Sequence, residues 1–463
     1  EGRLEKPLSH RTFLWLAATL AFLLIILVVR SWNLQVTNGA AYASESAQNS
    51  LEATTLFAPR GVITDRHGVV VTENAARSDG SIERIYSVHS LSHILGYVSY
   101  PKKDAKGIYY DTSMTGIAGV EAEYDYLLAG KNGRMLTETD ALGRIRSEGI
   151  VVPAEEGKPL QLSVDASLQR HLERAIADTA RAHGFIAGAG VILDVRTGAV
   201  RALVSYPSYD SNVMSRGGPP ETIAAYNKDA GRPFLDHALQ GVYAPGSVVK
   251  PLIAAGALTD GLITPNTIID DPGFISIPNP YRPGESFTYK GWKALGPMNV
   301  RSAIAWSSDI FFYTVGGGFK NQRGLGIDRL EYWYQQFGLG SPTGVDLAGE
   351  AGGRIPNPKW KESVFGEPWY LGDTYFTAIG QYSMQVTPLQ MARATAAVAN
   401  GGTLPVPTLL ATATPVSTVV PVSAAALQVA REGMRQAVTS AVAQAINLPY
   451  VSVAAKTGTA QTG

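Results

Sequence analysis

Cysteine is absent from this sequence. With it go thiol nucleophiles, disulfides and cysteine-held metals, while the redox compartment stays open. Neither sign of charge is in excess: 39 Lys+Arg stand against 39 Asp+Glu, for a formal net charge of zero. No basic run would track a phosphate backbone, which argues against nucleic acid as a partner. Histidine is scarce, seven in all and scattered with no HExxH pair, so a zinc hydrolase has no visible ligand set and no metal site is expected. Serine chemistry remains open. What is present is a chain of 463 residues, 45% hydrophobic and 17% charged, long enough for more than one core and for a two- or three-domain layout.

The segment Thr12 to Val29 contains no charge and lies between Arg11 and Arg30. As a helix it spans about 27 Å, close to the hydrocarbon thickness of a bilayer. Ala41 and Ala43 form an A-x-A-like pattern, but too far beyond the apolar run for a cleavage site, so an anchor is favoured over a cleaved signal peptide. Arg3, Lys6 and Arg11 precede the run. The positive-inside tendency then places residues 1–11 in the cytoplasm, an anchor at 12–33, and the rest outside.

Residues 31–42 are expected to prolong the helix and end near Asn38-Gly39, followed by a mixed region to about residue 160. Within that region residues 58–68 and 116–121 read, on their own, as loop and strand boundaries with turn glycines. From Leu162 the text is that of a compact domain. Asp165 is a good N-cap; Leu168, Leu172, Ile176 and Thr179 share a helical face, and Gly184 supplies the stop. GVILDV and AVRALVSY flank Arg196-Thr197-Gly198 and predict a β-hairpin. Helical text follows at 248–258, 300–316, 327–337 and 387–400. Residues 401–422 read as a loop excursion, and 450–455 as a strand leading into Lys456. The class implied is a multidomain α/β (α+β) chain with a sheet packed by helices, antiparallel at least in the hairpin.

Three short patterns carry chemistry. Ser247-Val248-Val249-Lys250 follows Pro245-Gly246, so a helix should begin there with Ser247 in its first turn. Residues three apart share a face; Lys250, desolvated, would serve as base to the Ser247 hydroxyl. A lone S-x-x-K arises about once or twice by chance in a chain of this length. Ser307-Ser308-Asp309 precedes the apolar run from Ile310, where serine and aspartate are ordinary capping residues. In the functional reading Ser307 relays a proton to the leaving amine and Asp309 orients its neighbours. Lys456-Thr457-Gly458-Thr459 reads as a turn or, functionally, as a substrate edge. Lys456 supplies positive charge for a carboxylate, Gly458 allows close backbone approach, and the Thr459 N–H points to an oxyanion hole. Their order and spacing lift the three above chance.

With these motifs the chain resembles the class B penicillin-binding proteins. The resemblance extends to Pro59, Arg60, Gly61, Ile63, Asp65, Arg66 and Gly68, to Gly116, Gly119 and Glu121, and to the stretches LDVRTGAV, SYPSYD, TGVDLAGE, GDT, IGQ and TPLQ. It implies a single transmembrane helix, a mixed pedestal domain at 34–160 and a transpeptidase domain at 161–463 whose antiparallel sheet is sandwiched by helices. The implied activity is a D,D-transpeptidase in which Ser247 attacks the penultimate D-Ala carbonyl of a peptidoglycan stem peptide and passes the acyl group to an amine. Ser247, Lys250, Ser307, Asp309 and Lys456 would be catalytic, and Thr457, Gly458 and Thr459 would bind substrate or a β-lactam. No cofactor is expected, since serine acyl transfer needs only a base, a relay and oxyanion donors. Trp369-Tyr370-x-Gly372-Asp373-Thr374, and aspartate rather than asparagine at 309, resemble the elongation branch more than the division branch. The resemblance implies a SEDS-family membrane glycosyltransferase as partner.

Departures from the family pattern are Ala455 before Lys456 and Tyr382 after Gly380-Gln381, both at positions where glycine is common. The family continues beyond the third motif, and 74–115 is short for a pedestal head, so further segments are expected after 463 and within 74–115. Alternatives that stay open are a division enzyme, a β-lactamase-like acylase, and a sensing or scaffold domain. The stretch between anchor and transpeptidase is small for a second catalytic domain.

Overall fold

The computed structural model describes residues 9–49, 51–139, 145–279 and 282–461. By internal contacts the chain divides into two compact units, one of Glu1–Ala58, Ser78–Ser81 and Gly130–Glu156, the other of Pro59–Arg77, Ile82–Ala129 and Gly157–Gly463.

In the smaller unit, helix α1 (His10–Trp32) starts at Ser9, whose side chain accepts from the Thr12 N–H. A π-helical turn, Asn33–Thr37, continues it. The span His10–Thr37 has 28 residues and a mean hydropathy of 2.7 with none of it buried, so it is long and apolar enough to cross a membrane. Arg3 and Lys6, used above for orientation, lie outside the described residues. The expected stop at Asn38-Gly39 is not where the helical text ends. Asn38 N–H bonds Asn33 O and Tyr42 N–H bonds Asn38 O, so hydrogen bonding carries through the glycine into a helix at Gly39–Asn49. Alanines 40, 41 and 43 favour that continuation. The strands Leu51–Leu56, Gly133–Thr139 and Ile145–Val152 form an antiparallel sheet with the middle one central.

In the larger unit, the two stretches that read as loop boundaries are joined through buried charge. Glu121 is fully buried; one carboxylate oxygen receives Arg60 Nε and the other Arg84 Nε. The remaining guanidinium N–H groups reach the carbonyls of Met114, Glu121 and Gly61 and the side chain of Asn74. Every ionic group is therefore paired and hydrogen-bonded, the condition for burying charge without a large penalty.

Helix α2 (Ala166–His183) is capped by the Asp165 side chain, which accepts from the Ser167 and Leu168 N–H groups, and it ends at Gly184 in the left-handed conformation. Leu172 and Ile176 face the hairpin, where a Cβ at Gly190 or Gly188 would clash with them. Thr179, expected on the same face, is exposed. Strands β1 (Gly188–Leu193) and β2 (Val200–Tyr206) pair antiparallel, with Gly188 opposite Tyr206. Helix α2 packs on both strands, and the helix Pro388–Asn400 packs on β1.

The main apolar core gathers α3 (Lys250–Thr259), α4 (Val300–Ala305), α5 (Asp309–Gly317), α6 (Leu371–Ala378), α7 (Pro388–Asn400) and α8 (Ala424–Ser440). The single helix expected over 300–316 is two. The chain breaks at Ser307, whose φ is +59°, because Ser308 caps a new helix. Helix α8 was not read from the sequence; it is alanine-rich and buries Leu427, Val429, Met434 and Val438. The strand expected over 450–455 does not form. Among the described residues this stretch makes no ladder, and it is held by Arg435 donating to Val453 O and by Ala455 N–H donating to Met434 O.

Candidate active site

Ser247 sits in a 3₁₀ turn, Gly246–Val249, that feeds directly into α3 at Lys250. Gly246 has φ +57°, and a Cβ there would stand 2.6 Å from Thr459 O. Glycine thus serves both the turn and the close approach of the third motif. Gly458 is packed in the same way, since a Cβ on it would meet Val248 at 2.8 Å and Pro245 O at 3.1 Å. The first and third motifs are in backbone contact.

Lys250 is fully buried. Its Nζ donates to Asp309 Oδ1 at 2.6 Å and to Ser307 O at 2.9 Å, with Ser307 Oγ at 3.4 Å. The three-residue spacing predicts that Lys250 meets the Ser247 hydroxyl, but among the described residues no hydrogen bond joins the two, and the ammonium is turned to the second motif instead. Burial pushes the Lys250 ammonium below the usual lysine range, and the Asp309 charge opposes this. Lys456 Nζ donates to Ser307 Oγ at 2.8 Å and to Thr457 O at 2.7 Å. Burial, then repulsion from Lys250, lowers its pKa to about 7, again opposed by Asp309. Ser307 therefore lies between two lysines, and its left-handed backbone turns the hydroxyl toward them.

The capping role expected of this serine-aspartate pair falls to Ser308. Its buried hydroxyl accepts from Phe311 N–H at 3.0 Å and donates to Asp271. That leaves Ser307 and Asp309 free of capping duty.

Ser247, Ser307, Asp309, Thr457, Gly458 and Thr459 line one cavity of about 850 Å³, walled also by Tyr289, Trp292, Tyr313, Phe376, Gln381 and Tyr382. All eight residues singled out from the sequence thus meet at one place, six on the cavity wall and Lys250 and Lys456 behind Ser307. The Thr459 N–H makes no hydrogen bond among the described residues, so it can donate to an oxygen in the cavity. The Trp369–Thr374 motif backs the same wall. Asp373 takes Lys361 Nζ at 2.6 Å and the Tyr370 N–H at 2.8 Å, and Trp369 Nε1 donates to Thr374 Oγ1. Sequence reasoning noted Tyr382 after Gly380-Gln381 only as a departure from the family pattern and gave no site role to Gln381, Tyr382 or Asp271. For the first two a signal existed, a tyrosine following Gly-Gln where glycine is common.

A helix-packed antiparallel hairpin, with a serine turn, a buried and a half-buried lysine around one serine, and a Lys-Thr-Gly segment gathered on one cavity, defines an α/β protein of the serine-lysine type. The model of the penicillin binding protein transpeptidase domain matches residues 188–463, and that of the penicillin-binding protein dimerisation domain matches 77–162. The chain belongs to the penicillin-binding protein transpeptidase family. It is 37% identical over 332 residues to the peptidoglycan D,D-transpeptidase MrdA of Escherichia coli K12, covering 69% of this chain and 50% of that one. Against FtsI of the same organism the identity is 27% over 296 residues, 62% of this chain and 43% of the relative. The chain spans about half the length of these relatives. Among solved structures it is similar to PBP2 of Pseudomonas aeruginosa in complex with WCK 5153, at 31% identity and TM-score 0.71, covering 88% of this chain and 86% of that one. It is also similar to a chain of a peptidoglycan synthase complex that coordinates polymerization and crosslinking, at 28% identity and TM-score 0.75, covering 97% and 89%.

Proposed function

We propose that this chain is a peptidoglycan D,D-transpeptidase of the elongation branch, working through a Ser247 acyl-enzyme. The observation that carries the reading is the convergence of Ser247, Ser307 and Thr459 on one cavity, with Lys250 and Lys456 both within 3.4 Å of Ser307 Oγ. Greater identity to MrdA than to FtsI, and aspartate at 309, support elongation over division.

In the proposed cycle neutral Lys250 takes the Ser247 proton as Oγ attacks the penultimate D-Ala carbonyl, with the Thr459 N–H facing the developing oxyanion. Collapse breaks the peptide bond, and Ser307 hands a proton to the departing D-Ala amine, drawing on Lys456. An amine of a second stem peptide then attacks the ester, returns its proton along the same path, and restores Ser247. Lys456, when charged, binds the substrate carboxylate, and Thr457 and Gly458 form the edge along which the peptide lies. β-Lactams would acylate Ser247 by the same attack.

The apolar span is the membrane anchor, with Arg3, Lys6 and Arg11 on the cytoplasmic side. Residues 34–160 then form the pedestal and 161–463 the transpeptidase domain, outside the bacterial cytoplasmic membrane. A SEDS-family glycosyltransferase is the proposed membrane partner, supported by the likeness to a chain of a synthase complex. Labelling with a fluorescent penicillin, with and without Ser247→Ala, tests the nucleophile. A label that turns over rapidly would favour a β-lactamase, and stem-peptide cross-linking that survives Ser247→Ala would end the assignment.

A further inference from the structure

The stretch Gly380 to Val386 is tied to the serine turn at both ends. Gly246 N–H donates to Gly380 O at 2.8 Å, and Tyr243 and Val386 exchange both backbone bonds at 2.9 Å. A Cβ at Gly380 would sit within 2.5 Å of Gly246 O, just as one at Gly246 would meet Thr459 O. The backbones of 380, 246 and 459 are therefore stacked in contact, and a displacement of one is felt by the next.

Between these ties the Gln381 side chain crosses to the third motif. Its Nε2 donates to Thr459 O at 3.0 Å, and its Oε1 accepts from Gln461 N–H at 3.3 Å. These are the two bonds a neighbouring strand would offer, supplied here by one amide to a segment with no ladder among the described residues. Tyr382, the next residue, has φ +65°, a conformation a bulky side chain holds only when its surroundings fix it. They do so here. Its ring stands edge-on to Trp369 and Trp360, with centroids at 5.7 and 6.2 Å, Lys361 Nζ lies 5.9 Å from its ring centroid, and Arg354 Nε holds Ser383 O at 3.1 Å. The left-handed turn sends the 381 side chain toward Thr459 while the Tyr382 ring joins the cavity wall.

We infer that Gln381 is a positioning residue: its amide acts as a surrogate strand that sets the Thr459 backbone against Ser247. This rests on the function proposed above, because Thr459 matters only if its N–H faces the reacting carbonyl. The residue itself touches no reacting atom.

The test uses the full chain in detergent, hydrogen-exchange mass spectrometry, and acylation by a fluorescent penicillin. Gln381→Met keeps length and loses both bonds. It is expected to speed exchange of the Gln461 N–H, which the Gln381 amide holds, about fivefold or more while leaving α3 as protected as before, and to slow acylation about tenfold or more. Tyr382→Gly, which suits left-handed backbone, is expected to keep exchange of the segment at the wild-type level. Unchanged exchange or acylation within twofold of wild type in Gln381→Met overturns the inference. So does faster exchange spread across α3, which would assign the glutamine a general structural role. If wild type takes no label at Ser247, the proposed function fails, and the exchange comparison still decides the clasp.

Discussion

Lys250 Nζ and Asp309 Oδ1 lie 2.6 Å apart, with the lysine wholly buried. Burial depresses the lysine and the carboxylate holds it up, so Asp309 decides at what pH a neutral base becomes available. Replacing it by asparagine keeps the shape and removes the charge. The Lys250 pKa then falls further, and the rising limb of the acylation pH profile is expected to move to lower pH by about one unit or more. A penicillin-acylation profile from pH 5 to 9 that leaves this limb in place would count against Lys250 as the base.

Ser307 adopts φ +59°, which for a residue with a Cβ costs roughly 1–2 kcal/mol. Ser307→Gly releases that strain and Ser307→Ala keeps it, while both delete the hydroxyl between the lysines. Glycine is expected to give the higher melting temperature of the two, with acylation slowed about 100-fold in both. Equal acylation in wild type and Ser307→Gly would remove the relay role.

The three motifs were legible because each is a short pattern whose local geometry its own residues dictate: Pro-Gly before Ser247, a capping serine before α5, glycine at 458. Their convergence was legible only through their order. What could not be read were features set by residues distant in the chain. The capping bond belongs to Ser308 because Asp271 waits for it, and Lys250 points to Asp309 rather than Ser247 because the second motif closes over it. The stretch 450–455 is β-branched, but a strand exists only where a partner supplies a ladder. The buried Arg60–Glu121–Arg84 network was invisible for the same reason, its members being up to 61 positions apart. Helix α8 carried a legible signal that went unread: Leu427, Ala430, Met434 and Val438 recur at helical spacing and are buried, with Gln428, Arg431 and Arg435 between them.

Lys456, with its pKa lowered to about 7, should be cationic below that pH and neutral above it. Recognition of a substrate carboxylate by the cation is therefore expected to weaken as pH rises through 7. Under subsaturating penicillin this appears as a falling limb in the acylation rate. Lys456→Arg, whose guanidinium stays charged, should shift that limb out of the range up to pH 9. A limb unaltered by the substitution would assign the titration to another group.

Ser308 is completely buried, and its hydroxyl both caps α5 and bonds Asp271. Burial pushes the Asp271 carboxyl up, and the Ser308 hydrogen bond is the first influence opposing it. Ser308→Ala removes a cap and leaves this carboxylate short of a donor, a combined loss of about 2–4 kcal/mol. The urea midpoint should fall accordingly, and the loss should be smaller at pH 5 than at pH 8, because protonation relieves the unpaired charge. A destabilisation independent of pH would mean that only the cap was lost.

Glu121 accepts from Arg60 and Arg84 at once, and all three side chains are about 1% exposed or less. Removing the shared carboxylate leaves the buried Arg84 guanidinium with no carboxylate and Arg60 with Asp125 alone, at 2.7 Å. Glu121→Gln keeps the volume and one acceptor oxygen, yet it is expected to cost about 3–5 kcal/mol, as for other buried pairs broken on one side. Replacing all three by apolar residues of similar size should recover much of this, because no buried charge is then left without a partner. Denaturant titration of the single and triple variants separates the two cases. If the single substitution costs under about 1 kcal/mol, water must reach the site, and the network is not the buried tie between 60 and 121 that its geometry describes.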